Sequence, residues 1–297
     1  MNPQTLYDTT PATLEALIYS GQAWLEHHNL TYSHGTDNAL DEAAWLALEA
    51  CELSPVEPLD DYRISISAAQ LEKARDWFRR RAKEKIPVAY LTGRSWFAGY
   101  EFAADERALI PRSPIAELIL QSFSPWITQE PARALDLCCG GGCIAISIAR
   151  QFSACHVDAC DLSADALALA AENCRKHDLE HRVSLYQGDL FAGLPGGQCY
   201  ELIVSNPPYV DQQDMQALAE EFTHEPGLGL AAGVDGLDIV ARILAQASDY
   251  LSPDGVLIVE VGNSRAAVEQ RFSSQPMVWL EFSHGGEGVF LVNASDL

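Results

Sequence analysis

The segment Arg133-Ala134-Leu135-Asp136-Leu137-Cys138-Cys139-Gly140-Gly141-Gly142-Cys143-Ile144-Ala145-Ile146-Ser147-Ile148-Ala149 runs from an apolar strand through three glycines into an apolar helix start. A short apolar run bounded by glycine reads as a buried strand, and the longer run after the glycines reads as a helix. The same alternation continues downstream. His156–Asp161 reads as a second strand, and Ser163 caps a helix from Ala164 to His177. Val183–Tyr186 is a third strand, and Tyr200–Ser205 is a fourth. Strands alternating with helices imply an α/β domain with a parallel sheet. A helix over Leu237–Tyr250, a strand over Val256–Val261, a helix near Ala266–Phe272 and strands at Val278–Phe282 and Gly288–Val292 complete the domain.

The fourth strand stops on Asn206-Pro207-Pro208-Tyr209. Neither proline has an N–H to continue a ladder, and each keeps the residue before it out of the helical region. A stiff extended turn at the carboxyl end of a strand stands where open α/β sheets bind ligands. The Asn206 side-chain oxygen and the Pro207 carbonyl are both acceptors, and two acceptors held side by side suit an NH2 group. Tyr209 adds an aromatic wall. These four residues are the expected catalytic set.

Other residues at the same edge point to a nucleoside. Glycines after the first strand let backbone N–H groups approach a ligand at a helix start. Asp161 ends the second strand, 21 positions after Gly140, where a carboxylate accepts from ribose hydroxyls. Asp189, beyond the third strand, is placed to meet an adenine amine. The loop lacks the third glycine of a pyrophosphate-binding Gly-x-Gly-x-x-Gly run. Asp136 in the preceding strand would repel phosphate and attract an ammonium group. That combination favours S-adenosyl-L-methionine, with Asp136, Cys138, Gly140, Gly142, Asp161, Asp189 and Asn206 as the cofactor-binding residues.

The first part of the chain has a different character. Helices are expected over residues 11–29, Leu40–Leu53 and Ala68–Lys85, with Asp37 or Asn38 capping the second and Ser67 starting the third. The basic run Arg79–Lys85 lies where cations complement a helix dipole. Between Tyr90 and Phe102, Gly93, Gly99 and four aromatics read as a β-hairpin. The expected domains are a helical substrate-recognition domain over 1–87, a hairpin linker over 88–112 and a catalytic domain over 113–297.

The net charge is -23, and the residues beyond 90 carry -17 of it. Such a surface repels nucleic acid and attracts a basic partner. No apolar run reaches the length of a membrane span. The N-terminus lacks a secretory pattern, so reduced thiols in the cytoplasm are expected for the 8 cysteines. Cys138, Cys139 and Cys143 crowd one loop without a spaced partner set, so no metal is expected.

Several motifs together give the sequence a resemblance that spans nearly its whole length. They are Pro87–Gly93, Leu109-Ile110-Pro111-Arg112, Leu135–Ala145, Asn206–Val210, His224-Glu225-Pro226, Gly233–Leu237 and Glu260-Val261-Gly262-Asn263. In these the chain resembles the protein-glutamine N5-methyltransferases. The resemblance implies a Rossmann-like, seven-stranded, S-adenosylmethionine-dependent fold and methylation of a glutamine side-chain amide. One branch of that family modifies release factors and usually carries an acidic run after Ile-Pro-Arg. This chain has Ser113-Pro114-Ile115 there. His34–Asn38 and Gly285–Phe290 resemble the branch acting on large-subunit ribosomal protein L-three, a basic protein involved in ribosome biogenesis. A release-factor methyltransferase is the alternative, and an adenine-N6 nucleic acid methyltransferase, which uses a similar proline turn, is the more distant one. Cys138-Cys139 departs from the small residues that many members carry.

Overall fold

The computed structural model describes Leu6, residues 10–283 and residues 285–297. The chain divides into two compact units. The first runs to Arg94 and takes back Ala219–His224, while the second holds Ser95–Leu218 and Glu225–Leu297.

Three helices dominate the first unit: α1 (Leu14–Glu26), α2 (Ala39–Ala50) and α3 (Ala68–Glu84). Each starts on a side chain that accepts from an otherwise unpaired N–H: Thr13 from Ala16, Asn38 from Asp41, and Ser67 from Gln70 in a reciprocal capping box. Gly21 lets α1 close on α3, since a Cβ there would fall 2.2 Å from the Phe78 ring.

The basic run at the end of α3 does more than complement a dipole. Arg79 is an exposed partner of Asp76 and Glu84. Arg81 is fully buried, 2.7 Å from Glu42 and 3.2 Å from Glu221, and donates to the Thr31 carbonyl at 2.8 Å. Helical spacing turns Arg81 inward with Phe78, a partition that composition alone does not reveal.

A short helix, α4 (Val88–Thr92), follows. The hairpin expected across Tyr90–Phe102 is therefore shorter, with strands β1 (Arg94–Phe97) and β2 (Tyr100–Ala103). Pro87 stands just before the helix as its extended N-cap, and Gly93 ends the helix at φ 73°. Ala98 and Gly99, both at positive φ, make the tight turn between the strands.

The second unit is built on seven strands: β3 (Arg133–Leu137), β4 (His156–Asp161), β5 (Val183–Gln187), β6 (Tyr200–Ser205), β7 (Leu251–Glu260), β8 (Val278–Trp279) and β9 (Val289–Asn293). Their order is β5-β4-β3-β6-β7-β9-β8. All neighbours from β5 to β7 are parallel, and β9 enters antiparallel between β7 and β8. The chain moves outward from β3 through β4 to β5, then returns to lay β6 on the other side of β3. That reversal makes the β3/β6 edge the topological switch point, where a crevice opens beyond the carboxyl ends.

Both faces of the sheet are covered. Ala134, Leu202, Val204 and Ile258 pack with Ile144, Ile148, Ile115 and Phe123. Leu135, Leu137, Ile203, Leu257 and Val259 pack on the other side with Val240, Ile243 and Val268. Apolar residues on both parities of a strand are what a sheet with two helical layers requires. The helices include α5 (Ile115–Leu120), α6 (Cys143–Gln151), α7 (Ala164–Lys176), α9 (Asp238–Gln246) and α10 (Arg265–Arg271). A further short helix, α8 (Gln212–Ala217), lies in the segment after the proline turn.

The Arg81 cluster gives a stability prediction. Arg81→Ala leaves Glu42 and Glu221 buried without their cation, at a cost of about 3–5 kcal/mol. Arg79→Ala leaves stability nearly unchanged. Urea unfolding of both variants checks this, and equal midpoints would contradict it.

Candidate active site

The site lies along the carboxyl ends of β5, β4, β3 and β6. Leu137 is paired with Cys160 on one side and Ser205 on the other. The Ser205 hydroxyl donates to the Leu137 carbonyl at 2.8 Å. The glycine loop and the Asn206 turn therefore leave the sheet beside each other.

The loop after β3 is wound through positive φ at Cys138 (60°), Gly140 (52°) and Gly142 (80°). Gly142 is needed for space as well, because a Cβ there would lie 3.1 Å from Ala170 Cβ of α7. Beside Gly140 the space is open apart from Ala108 Cβ at 3.8 Å, so the backbone is accessible to a ligand there. Cys138 is a non-glycine residue held in the left-handed region, a local strain of the kind that clusters at functional sites.

Asp161 organises this loop. One carboxylate oxygen accepts from Gly140 N at 2.8 Å and the other from Ser163 N at 2.8 Å. Each oxygen has a second acceptor position for a hydroxyl. Burial raises the Asp161 carboxyl above the ordinary range, against the pull of those N–H donors.

Asp136 is fully buried in β3, on the face covered by α6. One oxygen accepts from Ala145 N at 3.0 Å, and the other has no hydrogen-bond partner. Burial, with the like charge of Asp161, pushes its pKa up to about 8. A buried acceptor without a donor fits a cationic ligand group at this edge.

Asp189 is exposed beyond β5, and its carboxylate pairs with Arg242 of α9 at 2.8 Å. Asn206 is half-buried and Pro207 buried. Tyr209 is held from three directions. Its hydroxyl donates to Glu260 at 3.2 Å, its carbonyl accepts from the Ser264 hydroxyl at 3.0 Å, and its ring lies against Gly262, where a Cβ would fall 2.7 Å away. A parallel bridge between Val210 and Ala231 secures the chain just beyond.

Several residues at this edge escaped sequence reasoning. Glu260 lies at the end of β7 and bonds both Tyr209 and Ser113. Glu225 takes a bidentate pair from Arg112 at 2.5 and 2.6 Å and also accepts from Ile110 N. Their motifs were visible as resemblances, but the spacing between partners, more than a hundred positions in each carboxylate's connector contact, carries no local signal.

Among the described residues, no group of His, Cys, Asp and Glu could hold a metal ion, and no helix is long and apolar enough to cross a membrane.

The Methyltransferase small domain family matches residues 116–235, and the PrmC N-terminal domain family matches residues 30–93. Among solved structures, the hMettl16 catalytic domain in complex with the MAT2A 3'UTR hairpin 1 is similar, with a TM-score of 0.52 and 17% identity over 83% of this chain and 88% of that one. That likeness establishes the fold. Fold and domain match together define an S-adenosylmethionine-dependent methyltransferase. The ribosomal protein uL3 glutamine methyltransferase of Bordetella pertussis is 43% identical, covering 96% of each chain. Its counterpart from Xanthomonas campestris pv. campestris is 46% identical over 96% of this chain and 92% of that one. The chain belongs to the family of ribosomal protein uL3 glutamine methyltransferases.

Asp136 gives a pH prediction for the ligand-free protein. Its folded pKa lies above the unfolded value, so the fold binds the extra proton. This contribution weakens stability as pH rises from the ordinary carboxylate range towards about 8. Asp136→Asn removes that slope. Thermal melting at both ends of the window is expected to show the variant gaining on the parent as pH rises, and a pH-independent difference would contradict it.

Proposed function

We propose that Asn206 and the Pro207 carbonyl hold the side-chain amide of a glutamine in ribosomal protein uL3, the large-subunit protein L-three, for methylation on nitrogen. The observation that carries this reading is the position of the rigid double-acceptor turn at the switch point, beside the glycine loop. Bound S-adenosylmethionine supplies an electrophilic methyl group carried on a sulfonium. Asp136 offers its unpartnered oxygen to the ammonium group. Asp161 accepts from the ribose hydroxyls while holding Gly140. Asp189, braced by Arg242, accepts from the adenine amine. The turns at Cys138, Gly140 and Gly142 bring backbone against the cofactor.

A carboxamide nitrogen is a weak nucleophile because its lone pair is shared with the carbonyl. Asn206 and Pro207 accept from its two N–H groups and so fix the amide plane, with Pro208 stiffening the turn. Positive charge grows on those hydrogens during attack, and the two hydrogen bonds strengthen as it does. Interactions that strengthen in the transition state raise the rate. Tyr209 packs on the amide and the electron-poor methyl. As the N–C bond forms the methyl–sulfur bond breaks, leaving neutral thioether, and one of the amide's own two N–H protons then leaves to water.

The acidic surface complements a basic ribosomal protein, and its net charge of -23 opposes a nucleic acid substrate. We assign residues 1–87 to substrate recognition and 88–112 to the linker. The separate match of residues 30–93 to the PrmC N-terminal domain supports that division. A cytoplasmic setting accords with a ribosomal protein substrate.

Asn206 tests the mechanism. Asn206→Ala is expected to slow single-turnover methyl transfer by about a hundred- to a thousandfold, with little change in cofactor affinity. Asn206→Asp keeps an acceptor but adds a charge near the sulfonium, and its rate is expected between the two. Parental transfer by the alanine variant would reduce Asn206 to a strand-end turn residue.

Substrate choice is tested by competition. Purified enzyme is expected to methylate uL3 in preference to a release factor, with a rate that falls as salt is added. Equal labelling of the release factor would overturn the branch, and labelling of adenine in RNA or DNA would overturn the substrate class.

A further inference from the structure

Glu260 stands at the carboxyl end of β7, 4% exposed, and takes no part in the methyl transfer described above. Its two oxygens have different partners. One accepts from the Tyr209 hydroxyl at 3.2 Å, and the other from the Ser113 hydroxyl at 2.5 Å. Ser113 in turn accepts from Ile115 N at 3.1 Å, so its hydroxyl is oriented by the first turn of α5. The carboxylate thus joins the acceptor turn to the connector that enters α5.

The remaining contacts of Tyr209 leave its ring little freedom. Gly262 gives up a side chain to let the ring lie against its backbone, and the Ser264 hydroxyl holds the Tyr209 carbonyl. At the phenol end the hydroxyl is held by Glu260.

We propose that Glu260 and Ser113 are positioning residues for methyl transfer, a carboxylate clamp that fixes the Tyr209 ring against the substrate amide. This inference rests on the assignment of the Asn206 turn as the amide site. The clamp needs an acceptor facing Tyr209 and a second hydrogen bond to Ser113: the carboxylate accepts from both hydroxyls, and a neutral side chain with one acceptor and one donor keeps both contacts once the Ser113 hydroxyl turns round. Burial pushes the Glu260 pKa up to about 7, against Ser113, Tyr209 and the nearby Arg112 cation. Cys143 at the start of α6 also feels this charge, its thiol raised by burial and then by Asp136 and Glu260.

Single-turnover transfer rates and calorimetric cofactor affinity test the clamp. Tyr209→Phe is expected to lower the rate by about tenfold, the scale of one hydrogen bond to a charged group, with cofactor affinity unchanged. Glu260→Ala is expected to lower it by a similar factor, and adding it to Tyr209→Phe is expected to cost nothing further. Glu260→Gln, whose amide accepts from Tyr209 and donates to Ser113, is expected to stay close to the parental rate. Additive losses, or a parental rate in Tyr209→Phe, would overturn the clamp. So would a Gln variant as slow as the Ala variant, which would make Glu260 a base. Asn206→Ala, measured alongside, separates the two claims. If it is slow while the clamp variants fail these expectations, only the clamp falls. If it is fast, the amide site falls first.

Discussion

The parallel pairing of β6 with β3 is the contact on which the molecule's chemistry depends. It sets Leu137 opposite Ser205, and the Ser205 hydroxyl ties the two strand ends together at the last pair. Every functional segment then leaves the sheet at a set place: the glycine loop from β3, the acceptor turn from β6, and Asp161 from β4. A slip of one residue would turn each side chain to the opposite face. The slip is resisted because both parities of β6 are already committed, Leu202 and Val204 to one helical layer and Ile203 to the other. Hydrophobic packing across two faces is thus what holds the polar edge in register.

Buried charge is handled in two ways. Away from the site, carboxylates have cations: Glu42 and Glu221 meet Arg81, and Asp158 meets Arg133. At the site edge, Asp136 meets one backbone N–H and the like charge of Asp161. Burial, helped by that like charge and opposed by the N–H, drives its carboxyl upward, and no cation of the chain offsets it. A local rule is thus broken at the candidate site and kept elsewhere.

Asp161 shows how one residue can join two segments at the candidate site. Its two oxygens hold Gly140 N and Ser163 N, so the loop after β3 and the cap of α7 share one carboxylate. Gly142 then packs on Ala170 of that same helix, leaving Gly140 as the glycine with open space at its side. The three glycines are therefore not equivalent: one accommodates a helix tightly, another leaves room beside the backbone.

Much of this was legible in the residues themselves. The strand-glycine-helix pattern after Arg133, the double proline after Ser205 and the acids that follow β4 and β5 are local signals, since chain stiffness, glycine freedom and apolar period act over a few residues. The helix over Val88–Thr92 was misread because aromatics and glycines suit a hairpin equally well, and Gly93 ends a helix there instead. The inward course of Arg81, the grip of Glu260 on Tyr209 and Ser113, and the brace of Arg242 on Asp189 were decided only by tertiary structure. Each is a pairing of side chains far apart in the chain. Local propensity determines which element a residue joins and which face it takes, but a partner on another element is chosen only when burial brings the two faces together and removes the water that would otherwise satisfy both.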